Sequence, residues 1–95
     1  MTAYPRSMQD YGLQGEVGAM MMPLAMLPDG AFARIVEVSG GRGLVRRLAE
    51  LGFNADVLVK VLHNHSPGPV LIEVKGSRVA LGRGVAMKIL VEEAG

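Results

Sequence analysis

The chain has 95 residues, with ten basic against nine acidic side chains, a net charge of +1 at pH 7 and no cysteine. That length holds one small core, and the missing thiols exclude disulfides, thiolate-ligated zinc, iron–sulfur clusters and cysteine nucleophiles. The near balance of charge argues against a nucleic-acid grip based on bulk electrostatics, while 49% hydrophobic residues are too many for a mostly disordered chain.

From the N-terminus, residues 1–22 carry Pro5, Gly12, Gly15 and Gly18 among scattered polar side chains without any sustained period. This pattern predicts a flexible tail ahead of one folded domain at residues 23–95. Met20, Met21 and Met22 form an adaptable apolar segment that suits docking on a neighbouring subunit. The apolar run from Gly18 to Pro28 is broken at Pro23 and reaches about half the length needed to span a bilayer. No basic segment leads directly into it, so neither a transmembrane nor a targeting segment is expected. A cysteine-free chain held by packing suits a reducing cytoplasm.

"FARIVEV" (Phe32 to Val38) is rich in β-branched residues and stops at Gly40-Gly41, which predicts a strand. "GLVRRLAELGF" then switches to a helical period, with Leu44, Leu48 and Leu51 on one face. Gly52 stands where a left-handed residue closes a helix, and Phe53 can fold back on Leu48. Strands follow at Val57 to Leu62, Val70 to Val74, Val79 to Leu81 and Lys88 to Glu92. Ser66-Pro67-Gly68-Pro69 makes a loop between the first two. Lys75-Gly76-Ser77-Arg78 makes a hairpin, with Gly76 suited to the first position of a type II′ turn. Several strands are apolar on both faces, which a single flat sheet would leave wet. The expected fold is therefore mainly β: a small SH3-like β-barrel of about five strands, with one short α-helix inserted after the first strand and covering an opening.

No phosphate-binding or catalytic motif emerges. Gly82-Arg83-Gly84 and Gly41-Arg42-Gly43 lack the third glycine of a dinucleotide loop, and no P-loop pattern is present. The serines have no nucleophile motif, isolated carboxylates read as solvated, and so small a core has little room for a substrate pocket. The expectation is a non-enzyme that requires no cofactor. His63 and His65, one residue apart, share a side of an extended strand. With Glu73 from the next strand they are the candidate ligands for a weakly held divalent metal, Fe²⁺ or Zn²⁺. The barrel region has only Phe32 and Phe53, both expected in the core, which leaves it no exposed aromatic to stack nucleic-acid bases, and no nucleic-acid partner is expected. Arg46, Arg47 and Glu50 on the outer helix face, with Arg83 in its turn, are the candidate partner-binding residues. Strands apolar on both faces leave room for a homo-oligomer.

Taken in order, Leu24…Leu27-Pro28-x-Gly30, Gly40-Gly41, Arg47-Leu48-x-x-Leu51-Gly52-Phe53, Gly68-Pro69 and Ala80-Leu81-Gly82-Arg83…Ala86 make a pattern. Over roughly Pro23 to Glu92 the chain resembles the FeoA family of bacterial ferrous iron transport. The resemblance implies an SH3-like barrel and an accessory or regulatory role, exercised by protein–protein interaction with FeoB, the GTPase-coupled ferrous iron permease of the inner membrane. It also implies a cytoplasmic protein, peripheral at the membrane through that partner. The family's usual Pro-Gly after Leu-Gly-Phe is replaced by Asn54-Ala55-Asp56, where Asn54 is expected to take a left-handed turn and Asp56 to bond nearby backbone N–H groups. A similar barrel ends some iron-dependent repressors. An alternative role is thus a regulatory module linked to a separate DNA-binding regulator, and a third is a small divalent-metal-binding protein.

Overall fold

A computed structural model of the chain describes residues 20–94. The tail expected over residues 1–22 lies outside the described residues up to residue 19. Its last residues do not: Met21–Pro23 form a strand, β1, followed by a single 3₁₀ turn at Leu24–Met26. Next come β2 (Phe32–Val38), the helix α1 (Arg42–Glu50), β3 (Leu58–Asn64), β4 (Val70–Val74), β5 (Ser77–Leu81), the one-turn helix α2 (Arg83–Ala86) and β6 (Ile89–Ala94). All pairings are antiparallel, in the order β1-β6-β2-β3-β4-β5.

The sixth strand, beyond the five expected, is β1. It is three residues long and pairs Met21 with Glu92, Met22 with Val91 and Pro23 with Leu90. So short a run carries no readable alternation, and Pro23 fits there because β1 is an edge strand, where a missing N–H costs no ladder bond. The ladder does not close between β1 and β5 among the described residues. Instead the 3₁₀ turn packs against α2, and Leu24 and Ala86 are both fully buried there. Side-chain contacts, not a strand ladder, seal that seam.

The inner face follows from alternation. Ala33 and Ile35 of β2, Val59 and Val61 of β3, and Val70, Ile72 and Val74 of β4 all point into the core. The outer face is wetter than the sequence suggests. Leu58 is 55% exposed and Phe32, expected inside, is 44% exposed with the Lys60 ammonium 5.3 Å from its ring centre. Phe53 fills the aromatic place in the core instead, at 1% exposure.

Helix α1 ends as its glycine predicts. Gly52 has φ +105°, the Phe53 N–H donates to the Leu48 carbonyl at 2.8 Å and the Gly52 N–H to Ala49 at 3.0 Å. This paired closure carries Phe53 back against Leu48 in the core. Leu51 sits beyond the last turn and is exposed, so the buried stripe is shorter than the period implies.

Two turns differ from expectation. Val74 pairs with Ser77, which leaves a two-residue loop of Lys75 and Gly76 with φ +49° and +79°. Both positive values define a type I′ turn, with Gly76 second, because its twist matches the flanking strands. After Phe53, Asp56 rather than Asn54 is left-handed, at φ +71°. Its carboxylate receives Arg34 at 3.1 Å, while the Asn54 side chain donates to the Ala49 carbonyl at the helix end.

Candidate functional site

The two histidines lie where β3 breaks its own rule. Val61 pairs with Ile72, but the next pair is His63 with Leu71, so Leu62 is an extra residue in the ladder. Such a bulge reverses the phase of the side chains beyond it. Val59 and Val61 point inward before it. After it, half-buried Asn64 lies opposite buried Val70, while His63 and His65 face solvent. The imidazoles stack with centroids 4.1 Å apart and planes 30° from parallel.

Asp29 completes the group from a different segment. The turn Pro28-Asp29-Gly30-Ala31 is closed by the Ala31 N–H on the Pro28 carbonyl at 3.2 Å, with Gly30 at φ +85°. A left-handed third position is what a type II turn asks of glycine. The Gly30 N–H donates to the Val61 carbonyl at 2.7 Å, pinning the turn beside the bulge. One Asp29 oxygen, Oδ1, accepts the Asn64 backbone N–H at 2.6 Å. The other, Oδ2, lies 3.0 Å from His65 Nε2 and 4.0 Å from His63 Nδ1.

Beneath these three residues is a polar network. The Asn64 side-chain amide donates to the Ala25 and Leu27 carbonyls at 2.8 and 2.6 Å, and its oxygen accepts from Arg83 at 2.8 Å. Arg83 also donates to the Gly68 carbonyl at 3.0 Å. One asparagine thus ties together the 3₁₀ turn, the bulged strand, the loop after it and α2. The Asn64 N–H on its oxygen holds the Asp29 carboxyl below its ordinary range; partial desolvation opposes this, and the neighbouring His65 and His63 add to the lowering. Asp29 is therefore a carboxylate at neutral pH.

The structure redistributes the expected site residues. His63 and His65 come together, but Glu73 does not join them. It pairs with Lys60 and Arg78 toward the opposite end of the sheet, because antiparallel register places Leu71, not Glu73, opposite His63. Asp29 takes the acidic place, within 4.8 Å of both imidazoles by ligand atoms. The signal available for Asp29 was its turn, Pro-Asp-Gly; nothing in the sequence fixed where that turn would land. Arg46, Arg47 and Glu50 are exposed on α1 as expected. Arg83 is instead half-buried and committed to Asn64 and Gly68, which removes it from the accessible charge. On the helix side, Gly40, Arg42, Val45 and Arg46 line an open concavity.

A strongly curled antiparallel sheet with a helix between its second and third strands defines a small SH3-like β-domain. The chain belongs to the FeoA family, whose domain matches residues 22–93, and so to the proteins of ferrous iron transport. It is 43% identical over 74 residues to a protein of Methanocaldococcus jannaschii named "Putative Fe(2+) transport protein A", covering 78% of this chain and 89% of that one. Among solved structures, an iron uptake regulatory protein (FeoA) superposes with a TM-score of 0.75 at 31% identity, covering 79% of this chain and all of that one. The zinc-complexed FeoA of Stenotrophomonas maltophilia, described as an SH3 domain protein, gives 0.65 at 29% identity, covering 78% and 91%. A manganese-dependent transcriptional repressor shares the fold at 0.73, but at 22% identity and with 44% of its chain covered.

Proposed function

We propose that the protein is a non-catalytic accessory of ferrous iron transport that docks on the cytosolic part of a FeoB-type GTPase-permease. The observation that carries this reading is the FeoA match across residues 22–93, which takes in every described strand except the first residue of β1 and the last of β6. The Stenotrophomonas maltophilia relative is itself described as a candidate ferrous iron transport activating factor, which favours a regulatory role. No described helix is long and apolar enough to cross a membrane, so attachment at the inner membrane would come through the partner.

The outer face of α1 is the docking surface we favour. Arg42, Arg46 and Arg47 are exposed on a helix locked at its C-terminal end by the Gly52-Phe53 closure, and beside them lies the concavity of Gly40 and Val45. A rigid basic surface complements an acidic patch and speeds encounter with it. The test is co-purification with the cytosolic region of the permease, with GTP analogue, with GDP and without nucleotide. Retention that drops at least about tenfold in the Arg46→Glu/Arg47→Glu double variant, and weakens with salt, supports the reading. No association in any nucleotide state overturns it.

A further inference from the structure

We propose that Asp29, His63 and His65 form an exchangeable site for a first-row divalent cation such as Zn²⁺ or Fe²⁺, at the bulged end of β3. Two segments more than thirty residues apart in sequence bring two imidazole nitrogens and one carboxylate oxygen within 4.8 Å of one another. That donor set, two borderline nitrogens and one hard oxygen, suits zinc and ferrous iron better than calcium or magnesium. Metal–ligand bonds of about 2.0–2.2 Å place tetrahedral donors roughly 3.4 Å apart. The contacts of Asp29 Oδ2, 3.0 Å to His65 and 4.0 Å to His63, bracket that value.

A simple ion pair between Asp29 and His65 explains one of these contacts but not the other. His63 Nδ1 lies 4.0 Å from the same oxygen, beyond hydrogen-bond reach, with its ring stacked on that of His65. A bound cation would be held between these three atoms. The donors are also held in place. Asp29 is oriented through its other oxygen by the Asn64 N–H, and the strand bearing the histidines is tied down by the Asn64 amide and Arg83. Such outer bonds orient ligands toward a metal. Three ligands on an exposed surface leave coordination positions to water or to a second molecule, so the ion exchanges rather than staples the fold. The site stands apart from the basic face of α1 and does not depend on permease docking.

The experiment titrates the tag-free full chain with Zn²⁺, and with Fe²⁺ under anaerobic conditions, by calorimetry and by histidine ring NMR. One ion per chain is expected, with both histidine ring signals perturbed. Affinity should fall at least about tenfold in each of Asp29→Asn, His63→Ala and His65→Ala, each confirmed folded by circular dichroism, and stay unchanged in Glu73→Gln. Absence of saturable binding up to about 1 mM of either metal overturns the site. So does a wild-type affinity in His63→Ala, which would reduce the cluster to an Asp29–His65 pair.

Discussion

The two ends of β3 are built on opposite principles although they lie on one strand. At the Leu58 end, strict alternation runs through Lys60 and puts Leu58 outside beside Phe32, over the buried neighbours Val59 and Ala33. At the Asn64 end, one extra residue turns two histidines outward and sends a polar side chain inward to four hydrogen-bonding partners, counting the backbone N–H on Asp29. The first end is a surface that any apolar or polar residue satisfies. The second is a network in which each member positions another, because an inward polar group is tolerated only when its bonds are made.

Three substitutions test that contrast. Leu81, buried on β5 and paired with Val70, lies under the polar end. Leu81→Ala should destabilise the domain by about 2–5 kcal/mol, read from the urea midpoint, since it removes core packing beneath the network. Asn64→Ala should cost about 1–3 kcal/mol by leaving the Ala25 and Leu27 carbonyls and the Arg83 guanidinium without their partner. A cost near zero would show the network to be incidental. Leu58→Ser, at the exposed end, should change stability by no more than about 0.5 kcal/mol. A larger loss there would erase the distinction between the two ends.

Much of the fold was legible because local chemistry and global packing agree. The helix, its glycine stop and the Phe53 anchor are written within twelve residues, and the five longer strands announce themselves by apolar runs, most of them β-branched. What escaped reading depends on partners distant in sequence. The strand at Met21–Pro23 exists only because β6 is there to receive it. Phe32 looks like core until the inward phase of β2, taken by Ala33 and Ile35, puts it outside. Glu73 suggests itself as a third ligand from its place on the next strand, but the register sets it beside Lys60, and the Pro28–Ala31 turn brings Asp29 to the histidines instead. Arg83 reads as surface charge because its acceptors, a side-chain oxygen and a carbonyl, lie 19 and 15 residues away.

The bulge at Leu62 also determines which kind of mutation this surface can absorb. A point substitution there changes one side chain and leaves the others facing as they do. Deleting Leu62 would restore unbroken pairing while leaving His63 opposite Leu71 and Asn64 opposite Val70, so both would keep their faces. Closing the bulge without a deletion, so that His63 slips from Leu71 to Val70, would instead turn both imidazoles into the apolar interior and carry Asn64 out to solvent. The orientation of these histidines thus rests on where the ladder accommodates its one surplus residue, not on the identity of that residue.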